Sequence, residues 1–158
     1  MRLMIAALGS RPRAAFDDLA RLYLDRSAAL LTGGGKKSAI ETPLFRNEDA
    51  FWTALDHERA RTVPLIVLLD ERGQTMDSTA FAAWLGRERS ADRQLIVFAL
   101  GPADGWSQAS RQRAGRLFSL GPMTMAHELA RIVLAEQLYR ALTILAGHPY
   151  HREGSKNA

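Results

Sequence analysis

Residues 3–8 (LMIAAL), 65–69 (LIVLL) and 95–100 (LIVFAL) are apolar at every position and rich in Leu, Ile and Val. A run with no polar alternation has no face to give to water. Such runs predict strands covered on both sides, as in a parallel sheet between helix layers. The first strand spans Arg2–Leu8 and ends at Gly9. The second spans Pro64–Leu69 and ends in a turn, Asp70–Gly73. The third spans Gln94–Leu100 and ends in the loop Gly101–Gly105. A poorer strand is predicted at Ser38–Leu44, and a short one at Arg116–Leu120.

Between the strands the pattern turns helical. Ser10 is read as the cap of a helix with Pro12 in its first turn, running to about Arg26 with Leu19, Leu22 and Tyr23 as its apolar stripe. Asn47 caps a helix to about Arg61 that buries Phe51, Trp52 and Leu55, and in which His57 is a solvated residue. Ser78 starts a helix that buries Phe81, Trp84 and Leu85, and a short helix covers Ser107 to about Ala114. Strand and helix alternate, so the fold class is α/β, with a mostly parallel sheet flanked by helices in one domain spanning residues 1–158.

The longest helical stretch runs from Thr124 to about Leu145 without Gly or Pro, with Thr124 as the expected N-cap and Gly147 and Pro149 as stops. Leu129, Val133 and Ile144 fall on one side. Leu134, Leu138, Leu142 and Leu145 fall on the other, with Ile132 and Tyr139 between. A helix apolar nearly all round is expected to be buried nearly all round, one side in the core and the other against a second subunit. Glu136 and Arg140 are an i,i+4 pair, either at the surface or turned toward an interface or substrate. Arg131 is a lone charge among apolar neighbours, either at an interface rim or aimed at an anion.

Composition narrows the class. An apolar content of 47% and a charged content of 24% are those of an ordinary globular domain. The absence of cysteine removes disulfides, thiolate nucleophiles and Cys-based zinc sites. The N-terminal apolar run is too short for a membrane span and lacks the features of a signal peptide, so a cytoplasmic protein without membrane contact is expected. A net charge of +4 permits a nucleic-acid partner without requiring one. Arg111, Arg113 and Arg116 form a basic cluster read either as a solvated face or as phosphate contacts to RNA. His148 and His151 have no third ligand beside them, and no metal is expected. The Gly-Lys loop Thr32–Lys37 lacks the spacing of a phosphate loop.

In parallel sheets ligands gather outside the carboxyl ends of the strands. The loops after Leu69, Leu100 and Leu120 all carry glycine, which lets a backbone approach a ligand closely. Together they predict a pocket floored by main-chain groups, suited to a mostly neutral heteroaromatic ligand.

The second half of the chain resembles the bacterial 23S rRNA pseudouridine N3-methyltransferases of the SPOUT class. The resemblance rests on Leu69-Asp70 with Gly73, on Phe98–Gly105 and Leu117–Thr124, and on His127 with Arg131. It rests further on the block Ala135–Arg140 (AEQLYR) and the tail His148–Arg152 (HPYHR). It implies a homodimer, a trefoil knot over about residues 65–153, and S-adenosylmethionine held by Leu69, Gly101, Leu120, Gly121, Pro122, Met123, Thr124 and Met125. It also implies methyl transfer to N3 of a pseudouridine in a 23S rRNA stem-loop on the 70S ribosome. Tyr150, His151, Arg152 and Arg140 would serve catalysis, the tail reaching the partner's pocket, with His151 a candidate proton acceptor. Arg111, Arg113, Arg116 and Arg131 would contact RNA. The chain departs from the family at Pro102, where a second glycine is usual, at Ala126, and in a divergent Ser27–Arg61. These departures leave open a SPOUT enzyme with another RNA target, or a dimer that binds RNA or ribosomes without catalysis.

Overall fold

The computed structural model describes residues 1–32 and 40–152. The glycine-lysine loop beyond Thr32, the start of the strand expected at Ser38 and the chain after Arg152 lie outside the described residues. Five parallel strands form one sheet in the order β2-β1-β4-β3-β5. They are β1 (Arg2–Leu8), β2 (Leu44–Phe45), β3 (Leu65–Gln74), β4 (Leu95–Leu100) and β5 (Arg116–Phe118), interleaved with α1 (Ala14–Thr32), α2 (Glu48–Arg59), α3 (Ser78–Ser90), α4 (Gln108–Arg113) and α5 (His127–Leu145).

The all-apolar runs are the inner strands. β1 and β4 pair from Arg2↔Leu95 to Ala7↔Leu100, and β3 lies on the other side of β4. Because side chains alternate across a strand, each run supplies both faces. Leu3, Ile5, Val67, Ile96 and Phe98 meet Leu24, Phe81, Trp84, Leu85, Leu134 and Leu138 from α1, α3 and α5. Met4, Ala6, Leu8, Ile66, Leu68 and Val97 meet Phe51, Trp52 and Leu55 of α2, together with Trp106.

Several boundaries differ from the expectation. β3 does not end at Leu69. It pairs with β5 through Leu69↔Phe118, bulges over residues 70–73 and pairs again at Gln74↔Phe118. α1 begins at Ala14 rather than at Ser10 and continues past Arg26 to Thr32. Its buried side is Ala20, Leu24, Ser27 and Ala28, while Leu19 and Leu22 are exposed. Small residues face α5 because the two helices pack closely there. The second strand shrinks to Leu44–Phe45, with one isolated pairing of Met4 to Glu41. α3 starts at Ser78 as expected, capped by Asp77, whose carboxylate accepts from the Ala80 amide at 2.7 Å. α2 is capped as expected by Asn47, which accepts from Ala50 N at 2.9 Å. α5 begins at His127 with Ala126 at its cap and no side-chain cap bond, so Thr124 caps nothing. Residues 121–126 stay non-helical and cross the carboxyl edge of the sheet instead.

A cofactor-sized cavity at the carboxyl edge and a locked tail

The carboxyl ends of β3, β4 and β5 surround a cavity of about 440 Å³. Leu69, Gly101, Leu120, Gly121, Met123, Thr124 and Met125 line it, so the three loops singled out by their glycines do converge. Pro122 is exposed and does not line it.

Its floor is built around Trp106, a buried residue that sequence reading passed over. The indole Nε1 donates to the Leu69 carbonyl at 3.1 Å, tying the β4 loop to the end of β3. A Cβ on Gly101 would lie 2.7 Å from that nitrogen, so only glycine lets the ring pack there. The one sequence signal was a lone tryptophan directly after a glycine turn. Pro102 is accommodated by that turn, its carbonyl accepting from Gly105 N at 2.9 Å. On the third loop, Ser119 Oγ accepts from Gly121 N at 3.1 Å and donates to the Gly121 carbonyl at 3.0 Å. Gly121 has φ +138° and open space where a side chain would be. That is a cradle an adjoining ligand can enter.

The polar lining also has a sign. Asp70, Glu71 and Asp104 face Arg72 and Arg111, three carboxylates against two guanidiniums. Asp70 is nearly buried and accepts from Arg111 Nε at 2.7 Å. Burial acts to raise its carboxyl, but the bonds from Arg111 and the Arg72 amide outweigh it and hold Asp70 below the usual carboxylate range. A floor set by the Trp106 ring, an open glycine and an excess of one negative charge fit S-adenosylmethionine, a nucleoside carrying a sulfonium cation. Trp106→Phe removes the bond to Leu69, and cofactor affinity is expected to fall about tenfold, the worth of roughly one net hydrogen bond, as read by calorimetric titration.

The residues expected to serve catalysis form a second cluster. Arg140 Nη2 and Nε donate to Glu136 Oε1 at 2.5 and 3.0 Å, and Tyr150 OH donates to the same oxygen at 3.0 Å. Arg140 Nη1 lies 3.3 Å from His151 Nδ1, and its guanidinium lies over the Tyr150 ring at 5.0 Å. Tyr150 also packs on Tyr139, ring centroids 4.6 Å apart. Arg152 is exposed. Burial, followed by the Glu136 carboxylate, pushes the Tyr150 phenol up to about 12. A folded value above the ordinary 10.0 means that this contact stabilises the tail fully below pH 10 and is lost as pH rises toward 12. An ultraviolet titration should find Tyr150 ionising well above free tyrosine, and Glu136→Gln should lower that midpoint.

None of these tail residues lines the cavity. Ala130 of α5 does, and Arg140 lies ten residues further along the same helix, about 15 Å away at 1.5 Å per residue.

The arginines expected at RNA are largely answered within the chain. Arg111 holds Asp70 and lines the cavity. Arg113 pairs with Asp56 and lies over the Trp52 ring at 4.4 Å. Arg116 donates to Gln74 at 2.8 Å and lies over Trp84. They therefore do not form one open basic patch. Arg131 is buried, its side chain 6% exposed, and Nη1 donates to Asp17 at 3.1 Å. His127 Nε2 is buried with no partner among the described residues. No group of three potential metal ligands occurs among the described residues, and none of their helices is long and apolar enough to cross a membrane.

A cavity formed by three strand-end loops on an all-parallel sheet, closed by a long C-terminal helix, agrees with the comparison to known families. The family model described as "Predicted SPOUT methyltransferase" matches residues 1–151, and the chain belongs to that family. The SpoU methyltransferase AviRb from Streptomyces viridochromogenes, solved with AdoMet, shares the fold at a TM-score of 0.51 and 14% identity. The match covers 93% of this chain but only 59% of that longer one. Within the family its relatives are ribosomal RNA large subunit methyltransferases H. The protein of that name from Koribacter versatilis is 39% identical over 151 residues, 96% of this chain and 98% of its own. That from Rhizobium meliloti is 42% identical over 161 residues, 96% of this chain and 99% of its own.

Proposed function

We propose that this protein methylates N3 of a pseudouridine in large-subunit (23S) rRNA on the assembled 70S ribosome, using S-adenosylmethionine, as a cytoplasmic homodimer. The observation that carries the reading is the cavity at the carboxyl ends of β3, β4 and β5, with its open glycine and acidic excess, in a chain whose relatives bear the name of rRNA large subunit methyltransferases. Leu69, Gly101, Leu120, Gly121, Met123, Thr124 and Met125 hold the cofactor, and Pro122 shapes the loop from outside.

When bound, S-adenosylmethionine supplies a methyl group whose carbon–sulfur bond breaks as the N3–carbon bond forms, leaving a neutral thioether and releasing the N3 proton. The chain's own part is to position the base, to receive or pass on that proton and to steady charge on the uracil oxygens. Tyr150 stays a neutral donor at physiological pH, so it serves as a hydrogen-bond donor and not as the base. His151, beside Arg140, is the group of the tail suited to take the proton. Arg140 and Arg152 supply cationic donors for an oxyanion or phosphate.

A tail cluster about 15 Å along α5 from its own cavity calls for a second copy, whose tail meets this cavity. Leu19, Leu22 and Leu129 are exposed on α1 and α5, at 43%, 44% and 47%, and give that copy an apolar face. The knot over about residues 65–153 belongs to the same reading. It is supported by a chain path in which β5 pairs beyond β3 and the following loop returns across the ends of β3 and β4.

Calorimetric titration with S-adenosylmethionine and its demethylated product tests the cofactor assignment, and a methylation assay on ribosomes lacking the modification tests the substrate. A folded protein that binds neither ligand would overturn the reading. Sedimentation at micromolar concentration is expected to give a dimer, and Leu22→Glu with Leu129→Glu should shift it to monomer. A wild-type monomer would remove the composite site.

A further inference from the structure

A second cavity, of about 520 Å³, opens where the carboxyl end of β1 meets the start of β2, beside the cofactor cavity. Ala7 and Leu44 mark its strand ends, and Ala7 is the register partner of Leu100, the residue before Gly101. Adjacent strands are about 5 Å apart, so the two mouths share one rim. The first turn of α5 divides them: Ala130 lines the cofactor cavity and Arg131 lines this one.

The lining of this cavity is electropositive by construction. Arg11, Arg21 and Arg131 face one carboxylate, Asp17. Asp17 accepts from Arg21 Nε and from Arg131 Nη1, both at 3.1 Å. A guanidinium has five N–H donors, yet among the described residues the bond to Asp17 is the one that Arg131 makes, although its side chain is 6% exposed. Arg131 lines the cavity, so its remaining N–H donors can serve an anion there. Ala14, the first residue of the 19-residue helix α1, lines the same cavity, so the positive end of that helix also opens there. The buried guanidinium, two outer arginines and a helix N-terminus converge on one space large enough for a phosphate group and part of its sugar.

We propose that this cavity is a phosphate site for the RNA strand, gripping the backbone next to the nucleotide whose base enters the cofactor cavity. The inference rests on the rRNA-methyltransferase reading above. It moves the main phosphate contact from the Arg111–Arg116 side, where the arginines are already paired, to the β1–β2 end of the rim. Arg131 is the fixed element, and Arg11 and Arg21 are the adjustable ones.

The test uses the full-length protein and a fluorescein-labelled RNA stem-loop with a pseudouridine in its loop. Anisotropy is read over a salt series, and calorimetry with S-adenosylmethionine runs in parallel. The double variant Arg11→Gln, Arg21→Gln changes exposed side chains and should keep the wild-type melting temperature. Its RNA affinity is expected to fall at least tenfold, and the slope of log affinity against log salt should drop by about 1 to 2, as for loss of one or two phosphate contacts. Its cofactor affinity should not change. Arg131→Lys keeps a charge against Asp17 but loses the fork, and should weaken RNA binding in the same way. Wild-type affinity and slope in the double variant would overturn the proposal; if the wild-type protein binds cofactor but not the free stem-loop, the same comparison is read with 70S ribosomes lacking the modification, and equal binding by wild type and double variant there would overturn it. If RNA binding falls as expected while neither protein binds cofactor, the phosphate site stands and the methyl-transfer reading fails.

Discussion

Arg140→Ala is expected to slow methyl transfer by about 100-fold or more while leaving the affinity for S-adenosylmethionine within a factor of two of wild type. Arg140 holds together every other part of the tail cluster. It shares Glu136 with Tyr150, abuts His151 and covers the Tyr150 ring. Removing it leaves the Glu136 carboxylate with the Tyr150 hydroxyl and Gln137 and frees the tail to move. Loss of a positioned proton-transfer group or a shift of about 1 Å in its placement each cost on the order of 100-fold. Affinity is spared because Arg140 does not line the cavity. Arg140→Lys should recover little, since an ammonium cannot bridge Glu136 and His151 with a planar fork. Single-turnover transfer of a labelled methyl group to ribosomes, beside calorimetry, separates the two effects. A wild-type rate in Arg140→Ala would remove the tail from the chemistry.

Gly73→Ala is expected to act on stability and cofactor binding together. A Cβ there would lie 2.5 Å from both the Leu117 carbonyl carbon and the Phe118 amide nitrogen, backbone atoms of β5 that no rotamer change can move. The bulge over residues 70–73 must therefore part from β5, at a cost of about 2–3 kcal/mol by analogy with overpacked cores. For a chain of this size that lowers the melting temperature by roughly 5–10 °C. Phe118 leads directly into Ser119 and Gly121, so the same displacement should cut cofactor affinity by at least tenfold. Thermal melting and titration of one sample check both. An unchanged melting temperature with unchanged affinity would mean that β5 is not packed against Gly73 as described.

How far the sequence foretold this structure depends on the range of the forces involved. The inner strands were legible because their apolar runs are short, rich in Leu, Ile and Val and end at a turn, unlike the alanine-rich run 80–85 of α3, and the pocket was legible because glycines at three strand ends share one edge. The start of α5 was misread because Thr124 has the chemistry of a cap, yet Thr124 and Met125 stay non-helical and line the cavity. The stripe of α1 was misread because three of its four buried residues, Ala20, Ser27 and Ala28, are small and almost silent in a hydrophobicity pattern. The basic cluster looked open because its neutralising partners are remote. Asp70 and Asp56 stand 41 and 57 residues before Arg111 and Arg113. The tail lock was half legible: Glu136 and Arg140 were visible as a pair, but nothing local foretold that Tyr150 would join the same oxygen.

The sheet order bears on how the chain is made. β1 emerges well before β4 during synthesis, yet β4 is its long partner, joined from Arg2↔Leu95 onward. At about 5–20 residues per second, an all-apolar strand waits roughly 5–20 s for the strand that will flank it. In that interval, among the described residues, the two residues of β2 and one pairing at Glu41 are its sheet contacts. A nascent chain in this state is exposed to aggregation, and slower, cooler expression or a trigger-type chaperone at the tunnel exit should raise the yield of folded protein more than any change at the C-terminal half.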